Sequence, residues 1–200
     1  MITVLDYGAG NLASLAGALK RHDIEFTVAD HASNVLMDRT TLVLPGVGHF
    51  RAAKEALIER GLWAVLQDAI ATQRPILGIC LGLQLLAEGS EEAPGVSGLG
   101  ALKGIATRLP VGVKVPHMGW SEVTVEHNES WPTPPPWFYF VHSFALAVTD
   151  QTALSAEHGV SFSAACACKN TYGIQAHPER SGRAGQQFLA QLIQRQIACS

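Results

Sequence analysis

The chain has 200 residues, a formal net charge of −3 and a charged fraction of 16%, and these values exclude several classes of protein. It contains no run of lysine or arginine that would attract a phosphate backbone, so we expect no nucleic-acid partner. It contains no stretch of about 18 apolar residues, so we expect no membrane partner and no membrane-spanning segment. The charged fraction is below the usual ~25%, which indicates that part of the surface contacts another protein.

The cysteines and the first residues predict the compartment. Four cysteines are too few for a disulfide framework, and Cys166 and Cys168 have no second pair nearby that would complete a metal site. The N-terminal segment includes Asp6 and lacks a leading positive charge, unlike a secretory signal. We therefore expect a cytoplasmic protein that needs neither a metal nor a cofactor.

The first half of the chain alternates between short apolar runs and segments of helical periodicity. Apolar runs that predict strands occur at Ile2–Leu5, Glu25–Val28, Thr41–Leu44 and Pro75–Ile79. Helical spacing occurs in three segments: the one that Asn11 begins, Ala52–Ile70 with an interruption at Gly61, and Leu81–Ala87. This alternation predicts βαβ units and a parallel sheet flanked by helices.

The second half has shorter and more closely spaced strands. A glycine-rich loop at Glu91–Gly104 precedes predicted strands at Val123–Val125, Phe138–Val141, Phe144–Val148, Phe162–Ala167 and Tyr172–Ala176. These strands predict an antiparallel extension of the sheet. The proline-rich segment Trp131–Trp137 is interpreted as a rigid surface loop rather than as a ligand for proline-binding domains. A helix over Gly185–Ala198 is predicted to close the chain.

The most specific local motif is Gly78-Ile79-Cys80-Leu81-Gly82, between a predicted strand and a predicted helix. A nucleophile at a sharp strand-to-helix turn needs small neighbours on both sides, and the glycines provide them. The positive end of the following helix favours the thiolate, and the backbone N–H of Leu81 points to where an oxyanion would develop. The alternative is a buried structural cysteine between packing glycines.

Forming a thiolate requires a base that takes the proton of the thiol. His177-Pro178-Glu179 provides a base, His177, and a carboxylate that can orient it. Proline disfavours helical geometry at the residue before it, so we expect an extended chain in which His177 and Glu179 point to the same side. The alternative is a surface turn with a solvated histidine and glutamate. Pro45-Gly46-Val47-Gly48 ends another predicted strand and can offer backbone N–H groups to a ligand, or it is an ordinary glycine turn.

Three motifs in this order resemble the class I (triad-type) glutamine amidotransferase family: Pro45–Gly48, Gly78–Leu86 and His177–Glu179. A narrower resemblance, to the glutaminase subunits of imidazole glycerol phosphate synthase, covers nearly the whole chain through Asp6–Leu12, Pro45–Phe50, Pro116–Trp120, Phe140–Ser143 and His177–Ser181. The resemblance implies one glutamine amidotransferase type 1 domain over residues 1–200. Its fold would be α/β, with a mostly parallel sheet flanked by helices and an antiparallel extension.

The resemblance also implies roles for individual residues. Cys80 would be the nucleophile that forms a thioester with glutamine, His177 the general base and acid, and Glu179 its orienting partner. The N–H groups of Val47 and Leu81 would form the oxyanion hole, for which the family uses a peptide rearrangement at Val47. The implied substrate-binding residues are Gly48, Gln84, Glu92, Ser143 and Phe144, with Glu92 pairing with the substrate ammonium.

A heterodimer is implied as well. Ammonia would pass to a separate (βα)8-barrel cyclase subunit that makes imidazole glycerol phosphate and AICAR in histidine biosynthesis. Tyr139 matches an aromatic residue near the subunit interface, and His117 and His142 are expected to be structural or partner-facing. One residue departs from the family pattern: Ala176 replaces the usual aromatic residue before the catalytic histidine, so His177 loses a bulky packing neighbour.

Two other functions remain open from the residues alone. A stand-alone cysteine hydrolase or peptidase on the same sheet would turn over without a partner. A non-catalytic binding module would keep the fold but lose a member of the triad, whereas Cys80, His177 and Glu179 are all present.

Overall fold

A computed structural model describes residues 1–36, 40–127 and 131–198 of the chain. In these ranges the strands are β1 (Ile2–Leu5), β2 (Phe26–Ala29), β3 (Thr41–Gly46), β4 (Ile76–Cys80), β5 (Gly89–Ser90), β6 (Ile105–Arg108), β7 (His117–Val125), β8 (Trp137–His142), β9 (Phe144–Ala145), β10 (Thr152–Glu157), β11 (Ser161–Cys168) and β12 (Thr171–Ile174). The helices are α1 (Leu12–Arg21), α2 (Phe50–Glu59), α3 (Leu62–Ala71), α4 (Leu81–Leu86) and α5 (Gly182–Ala198). Single turns of 3-10 helix occur at Ala32–Asn34 and Pro178–Arg180.

A mixed sheet organises these elements, with nine strands in the order β2-β1-β3-β4-β12-β11-β10-β7-β8 among the described residues. The first five strands in that order pair in parallel, and the remaining pairs are antiparallel. A small separate sheet is formed by β5, β6 and β9. The predicted fold class, a mostly parallel sheet with an antiparallel extension, is thereby confirmed.

Capping and glycine conformation set the helix boundaries of the first half. Asn11 begins α1 by accepting a hydrogen bond from the backbone N–H of Ser14 at 3.2 Å. Gly61 has a φ of 69°, a left-handed conformation that interrupts helical hydrogen bonding. The predicted helical segment Ala52–Ile70 is therefore two helices, α2 and α3, with the break at the predicted glycine.

Two apolar clusters, one on each face of the sheet, stabilise the fold. One contains residues of α1 and α5, such as Leu19 and Phe188, and the other contains residues of α2 and α3, such as Leu57 and Leu66. All four of these side chains are buried. Burial of a single leucine side chain contributes about 1.5–3 kcal/mol, so both faces of the sheet contribute to holding the active-site loops in place.

The proline-rich segment is only partly the surface loop that the sequence predicts. Trp131, at its first position, is 4% exposed and packs its ring against Tyr172 and Phe188. Trp137, at its last position, is half-exposed and begins β8. The segment is therefore anchored in the core at one end and in the sheet at the other.

Candidate active site

The candidate catalytic residues follow neighbouring parallel strands. Gly46 at the end of β3 is paired with Cys80 at the end of β4. On the other side of β4, Ile174 at the end of β12 is paired with Ile79, and His177 follows three residues later. Because the carboxyl ends of parallel strands meet at one edge of a sheet, the three predicted motifs converge there.

The turn at Cys80 is sharp and tightly packed. Cys80 has φ 55° and ψ −109°, a conformation that residues other than glycine rarely adopt. A Cβ atom on Gly78 would lie 2.7 Å from the backbone of Gly82, and one on Gly82 would clash with the carbonyl oxygen of Leu44. Both glycines are therefore required where the strand passes directly into α4, as the motif predicts.

His177 and Glu179 form a buried pair. Nδ1 of His177 lies 2.8 Å from Oε1 of Glu179, and the two residues are 3% and 5% exposed. The expectation that they approach each other is confirmed, but the expected extended chain is wrong. His177 has a ψ of 84°, which is non-helical, as the following proline requires, but is not fully extended, and Pro178–Arg180 then forms a 3-10 turn. The turn brings the carboxylate back to the ring.

A second set of contacts holds the backbone of His177. Its N–H donates to the carbonyl oxygen of Tyr139 at 2.9 Å. The Ser181 hydroxyl donates to the carbonyl oxygen of His177 at 2.7 Å and accepts from the N–H of Tyr139 at 2.9 Å. The antiparallel strand β8 therefore also holds the backbone of His177 in place.

The surroundings of His177 favour the imidazolium form. Burial acts to lower its pKa, but interactions with Cys80 and with Glu179 outweigh burial and raise the pKa to about 10. Since Nδ1 of His177 is hydrogen-bonded to Glu179, Nε2 is the ring nitrogen that remains to interact with Cys80. Nε2 is buried and forms no hydrogen bond with any of the described residues. The arrangement suits a base that takes a proton from a neighbouring thiol.

A cavity of about 400 Å³ opens over the Cys80 turn. It is lined by all of the predicted oxyanion and substrate-binding residues: Val47, Gly48, Leu81, Gln84, Glu92, Ser143 and Phe144. His177 and Glu179 are buried and do not line it. The sequence-predicted site is therefore brought together in one place.

The two polar side chains predicted to bind substrate are already held by hydrogen bonds. Gln84 Nε2 donates to the carbonyl oxygen of Phe144 at 2.9 Å and to Gln175 Oε1 at 3.1 Å. Glu92 Oε2 accepts from the backbone N–H of Phe50 at 2.7 Å, at the N-terminus of α2. These bonds use neither Oε1 of Gln84 nor Oε1 of Glu92, so both oxygens can accept a hydrogen bond from a ligand.

Four further residues line the cavity: Pro116, Val141, His142 and Arg180. All four stand inside segments that carry the narrower family resemblance, and this signal could have indicated them. Arg180 also lies over the ring of Tyr139, 4.9 Å from its centroid, and Tyr139 contacts Trp120 edge-on. Trp120 is 52% exposed. The contacting side chains of Arg180, Tyr139 and Trp120 therefore extend from the cavity to the surface.

His117 and His142 are buried and connected in a hydrogen-bonded chain. Phe144 O can only accept, so His142 Nδ1 donates to it at 3.1 Å and His142 Nε2 accepts from His117 Nδ1 at 3.0 Å. His117 Nε2 then accepts from the Ser121 hydroxyl at 2.9 Å. Burial lowers the pKa of His117 to about 4 and that of His142 to about 3, so both rings are neutral. Their structural placement agrees with the role expected from the sequence.

In residues 1–36, 40–127 and 131–198, no group of three or more histidine, cysteine, aspartate or glutamate side chains could hold a metal ion. No helix in this part of the chain is long and apolar enough to cross a membrane.

A cysteine, a histidine and a glutamate at the carboxyl edge of a mixed α/β sheet define a thiol-dependent hydrolase. Residues 3–195 match the family model for glutamine amidotransferase class-I. Imidazole glycerol phosphate synthase subunit HisH of Methanopyrus kandleri is 41% identical over 195 residues, 96% of each chain. The same subunit of Bacillus licheniformis is 43% identical over 205 residues, covering 97% of this chain and 96% of that one. This chain therefore belongs to the class-I glutamine amidotransferases and, within them, to the HisH subunits of imidazole glycerol phosphate synthase.

Solved structures agree on the fold. A glutamine amidotransferase crystal structure superposes with a TM-score of 0.74 at 17% identity, covering 97% of this chain and all (100%) of that one. PurLQS from Thermotoga maritima gives a TM-score of 0.71 at 20% identity, with 96% and 97% coverage. The family and the type of subunit that the motifs implied, the glutaminase of a histidine-biosynthesis enzyme, are confirmed.

Proposed function

We propose that this chain hydrolyses L-glutamine to glutamate and ammonia through a thioester on Cys80. The observation that carries the proposal is that Cys80 lines the cavity and interacts with His177 of the buried His177–Glu179 pair. The Cys80 sulfur attacks the side-chain amide carbon, and the C–N bond breaks as His177 donates a proton to the leaving ammonia. Water then attacks the thioester, His177 takes a proton from it, and the S–C bond breaks to release glutamate.

Glu179 acts on the reaction through His177. Its bond to Nδ1 keeps Nε2 directed at the sulfur and stabilises the imidazolium that forms when the thiol loses its proton. The N–H groups of Val47 and Leu81 would hold the oxyanion of the tetrahedral intermediate. Both residues line the cavity beside Cys80, which supports this role, and losing one such donor costs about 10²–10³ in rate.

The α-amino-acid part of glutamine is proposed to bind at the other end of the cavity. Glu92 carries the negative charge that would pair with the substrate ammonium, and Gln84 offers its free oxygen one helical turn after Cys80. Gly48, Ser143 and Phe144 line the same wall and would supply backbone contacts. A cavity of about 400 Å³ is large enough for a single amino acid.

The ammonia is proposed to serve a (βα)8-barrel cyclase subunit that makes imidazole glycerol phosphate and AICAR. Ammonia released into water at neutral pH would be protonated and would lose its nucleophilicity, so the two sites need a closed interface. The exposed side chains of Met118 and Trp120 on β7, close to the cavity, support docking on this face. We include no nucleic acid and no membrane among the partners, and we place the reaction in the reducing cytoplasm, where a catalytic thiol stays reduced.

We also propose that residues 1–200 act as one glutamine amidotransferase type 1 domain. The family match over residues 3–195 and the single large sheet support this.

Replacement of Cys80 by alanine tests the proposed function. In the complex with the cyclase, Cys80→Ala should abolish glutamine-dependent synthesis of imidazole glycerol phosphate while ammonium salts still support it. Cys168→Ala, at a half-buried cysteine of β11 outside the cavity, is the matched control and should keep both activities. Equal loss of both activities in Cys80→Ala would show that Cys80 is structural and would overturn the proposal.

A further inference from the structure

The side chain of Gln175 contacts two groups of the candidate active site, although it takes part in none of the proposed catalytic steps. Gln175 follows β12, two residues before His177, and is completely buried. Its Nε2 lies 3.7 Å from the Cys80 sulfur, and its Oε1 accepts a hydrogen bond from Gln84 Nε2 at 3.1 Å. Gln175 thus lies between the nucleophile and a proposed substrate-binding side chain.

The hydrogen-bond network determines which end of the Gln175 amide faces the sulfur. The carbonyl oxygen of Phe144 can only accept, so the group that Gln84 presents to it must be the NH2. The same NH2 group contacts Gln175, so Gln175 presents its oxygen to Gln84. The NH2 of Gln175 is then left for Cys80, and the amide orientation is fixed at both ends.

The ionisation state of Cys80 decides which of its contacts is favourable. As a thiol, Cys80 can donate to the carbonyl oxygen of Val141, which lies 3.8 Å from the sulfur. As a thiolate it is only an acceptor, and the N–H of Gln175 then becomes its donor. A hydrogen bond to the charged form stabilises that form, so Gln175 favours the nucleophilic state of the sulfur.

The burial of this amide supports a role in the site. A buried amide without partners is unfavourable, whereas an apolar side chain of similar size is not. The backbone N–H of Gln175 donates to the carbonyl oxygen of Ala164 at 2.8 Å, so the residue is also held by its main chain. Both partners of its side-chain amide, Cys80 and Gln84, line the cavity.

We propose that Gln175 is a positioning residue that holds the Cys80 sulfur from the buried side and aligns Gln84 toward the substrate. Its N–H fixes the sulfur and stabilises the thiolate, and its carbonyl oxygen keeps the Gln84 amide turned so that Gln84 Oε1 faces the cavity. This inference rests on the proposed function, since it assigns the two contacts to the attack on glutamine and to the binding of glutamine.

Two substitutions separate the two roles. Gln175→Glu keeps an acceptor for Gln84 but removes the donor to Cys80, so kcat should fall at least tenfold while KM stays within about twofold. Gln175→Leu removes both contacts, so kcat should fall similarly and KM should rise about tenfold as well. Both values are measured as glutaminase activity in the complex with the cyclase. The matched control is Gln196→Leu, at a buried glutamine of α5 that does not line the cavity, and it should leave both constants unchanged.

A chemical readout isolates the contact with the sulfur. Alkylation of Cys80 by iodoacetamide at a fixed pH, quantified by mass spectrometry against Cys168 of the same molecule, should be about tenfold slower in both Gln175 variants. Unchanged alkylation together with unchanged kcat in a folded Gln175→Leu chain would overturn the proposal. If that variant does not fold, the same result in Gln175→Glu would overturn it. If the Gln175 variants are alkylated more slowly but the wild-type complex hydrolyses no glutamine, the positioning role is supported and the proposed function is overturned.

Discussion

Cys80 combines a reactive side chain with a backbone conformation that stores strain. Its φ of 55° and ψ of −109° place it where a Cβ atom is unfavourable, and such residues persist only when their surroundings impose the conformation. Here β4 fixes the chain before Cys80 and α4 fixes it after, with Gly78 and Gly82 allowing the two elements to come close. In this unfavourable conformation the side chain of Cys80 lies at the end of the sheet, where it lines the cavity.

The strain predicts an inverted order of stability at position 80. Glycine normally destabilises a folded chain relative to alanine, but at a positive φ it removes the Cβ penalty. We expect Cys80→Gly to be more stable than Cys80→Ala by about 1 kcal/mol in urea unfolding, with both inactive toward glutamine. The control pair is Cys168→Gly and Cys168→Ala in β11, where alanine should be the more stable by about 0.5–1 kcal/mol. The same order at both positions would contradict the strain at Cys80.

The proposed catalytic residues Cys80, His177 and Glu179 could be predicted because each stands in a short motif, whereas the proposed positioning role of Gln175 could not. Cys80 is flanked by glycines and His177 is followed by proline, and these neighbours restrict the backbone in ways that are visible locally. Gln175 lies 95 residues from Cys80 along the chain and meets it only because β12 pairs beside β4. The sequence predicts both strands but not which strands are neighbours. A buried glutamine before the histidine motif therefore gave no separate signal.

At the scale of elements, β7 and β8 join the active site to the exposed edge of the sheet. His117 on β7 is paired directly with His142 on β8, and their rings are hydrogen-bonded in the interior. His158 stacks on His117 with a ring separation of 4.2 Å, so a charge on one ring would disfavour a charge on the other. Burial, together with these neighbouring histidines, keeps the pair neutral.

The buried pair predicts that acid weakens the fold well above the pH at which carboxylates titrate. The pKa values of His117 and His142 fall from 6.5 to about 4 and about 3 on folding, so below pH 6.5 the unfolded chain binds protons that the folded chain does not. Their contribution to stability is complete above pH 6.5 and is lost as the pH falls toward these folded values. Together these two shifts would lower the free energy of unfolding by about 4 kcal/mol between pH 7.5 and pH 5. The raised pKa of His177 acts in the opposite direction and returns about 1 kcal/mol over the same interval, so we expect a net drop of about 2–3 kcal/mol in urea unfolding.

Matched variants assign that drop to the pair. The double variant His117→Asn/His142→Asn should be less stable at pH 7.5, because it loses buried packing, but should show a much smaller drop on acidification. His127→Asn, at an exposed histidine, should keep the full drop. An unchanged pH dependence in the double variant would show that other groups are responsible.

The strands that were not predicted show where local patterns fail. Residues Thr152–Glu157 have the sequence Thr-Ala-Leu-Ser-Ala-Glu, with little of the β-branched and aromatic content that indicates a strand. They form β10 because β11 and β7 pair on its two sides, and this tertiary context overrides local propensity. The inner parallel strands β1, β3 and β4 could be predicted because they are buried on both faces and read as continuous apolar runs, such as Thr41–Leu44 within β3.

At the scale of the whole molecule, the position of the cavity explains why a glutaminase would be paired with a second enzyme. The cavity lies next to the face where β7 exposes both Met118 and Trp120, and large apolar side chains grouped on a surface are typical of a protein–protein contact. Trp120 contacts Tyr139, which lies under Arg180 at the cavity wall. A partner bound on this face would therefore contact the same side chains that border the reacting groups.

The exposed face predicts how a single tryptophan affects assembly. Aromatic residues at the centre of an interface commonly contribute about 2 kcal/mol or more to binding, so Trp120→Ala should weaken the affinity for the cyclase subunit by roughly thirtyfold. The glutaminase rate is measured while the cyclase, with its own ligand present, is added in increasing concentration. In Trp120→Ala, half-maximal activation should need a higher cyclase concentration, while the rate at saturation should stay near the wild-type rate. Val28→Ala changes an exposed valine on β2, at the opposite edge of the sheet, and should leave the midpoint unchanged. A wild-type midpoint in Trp120→Ala would mean that the cyclase docks elsewhere, and the ammonia would then have to leave the cavity by a different side.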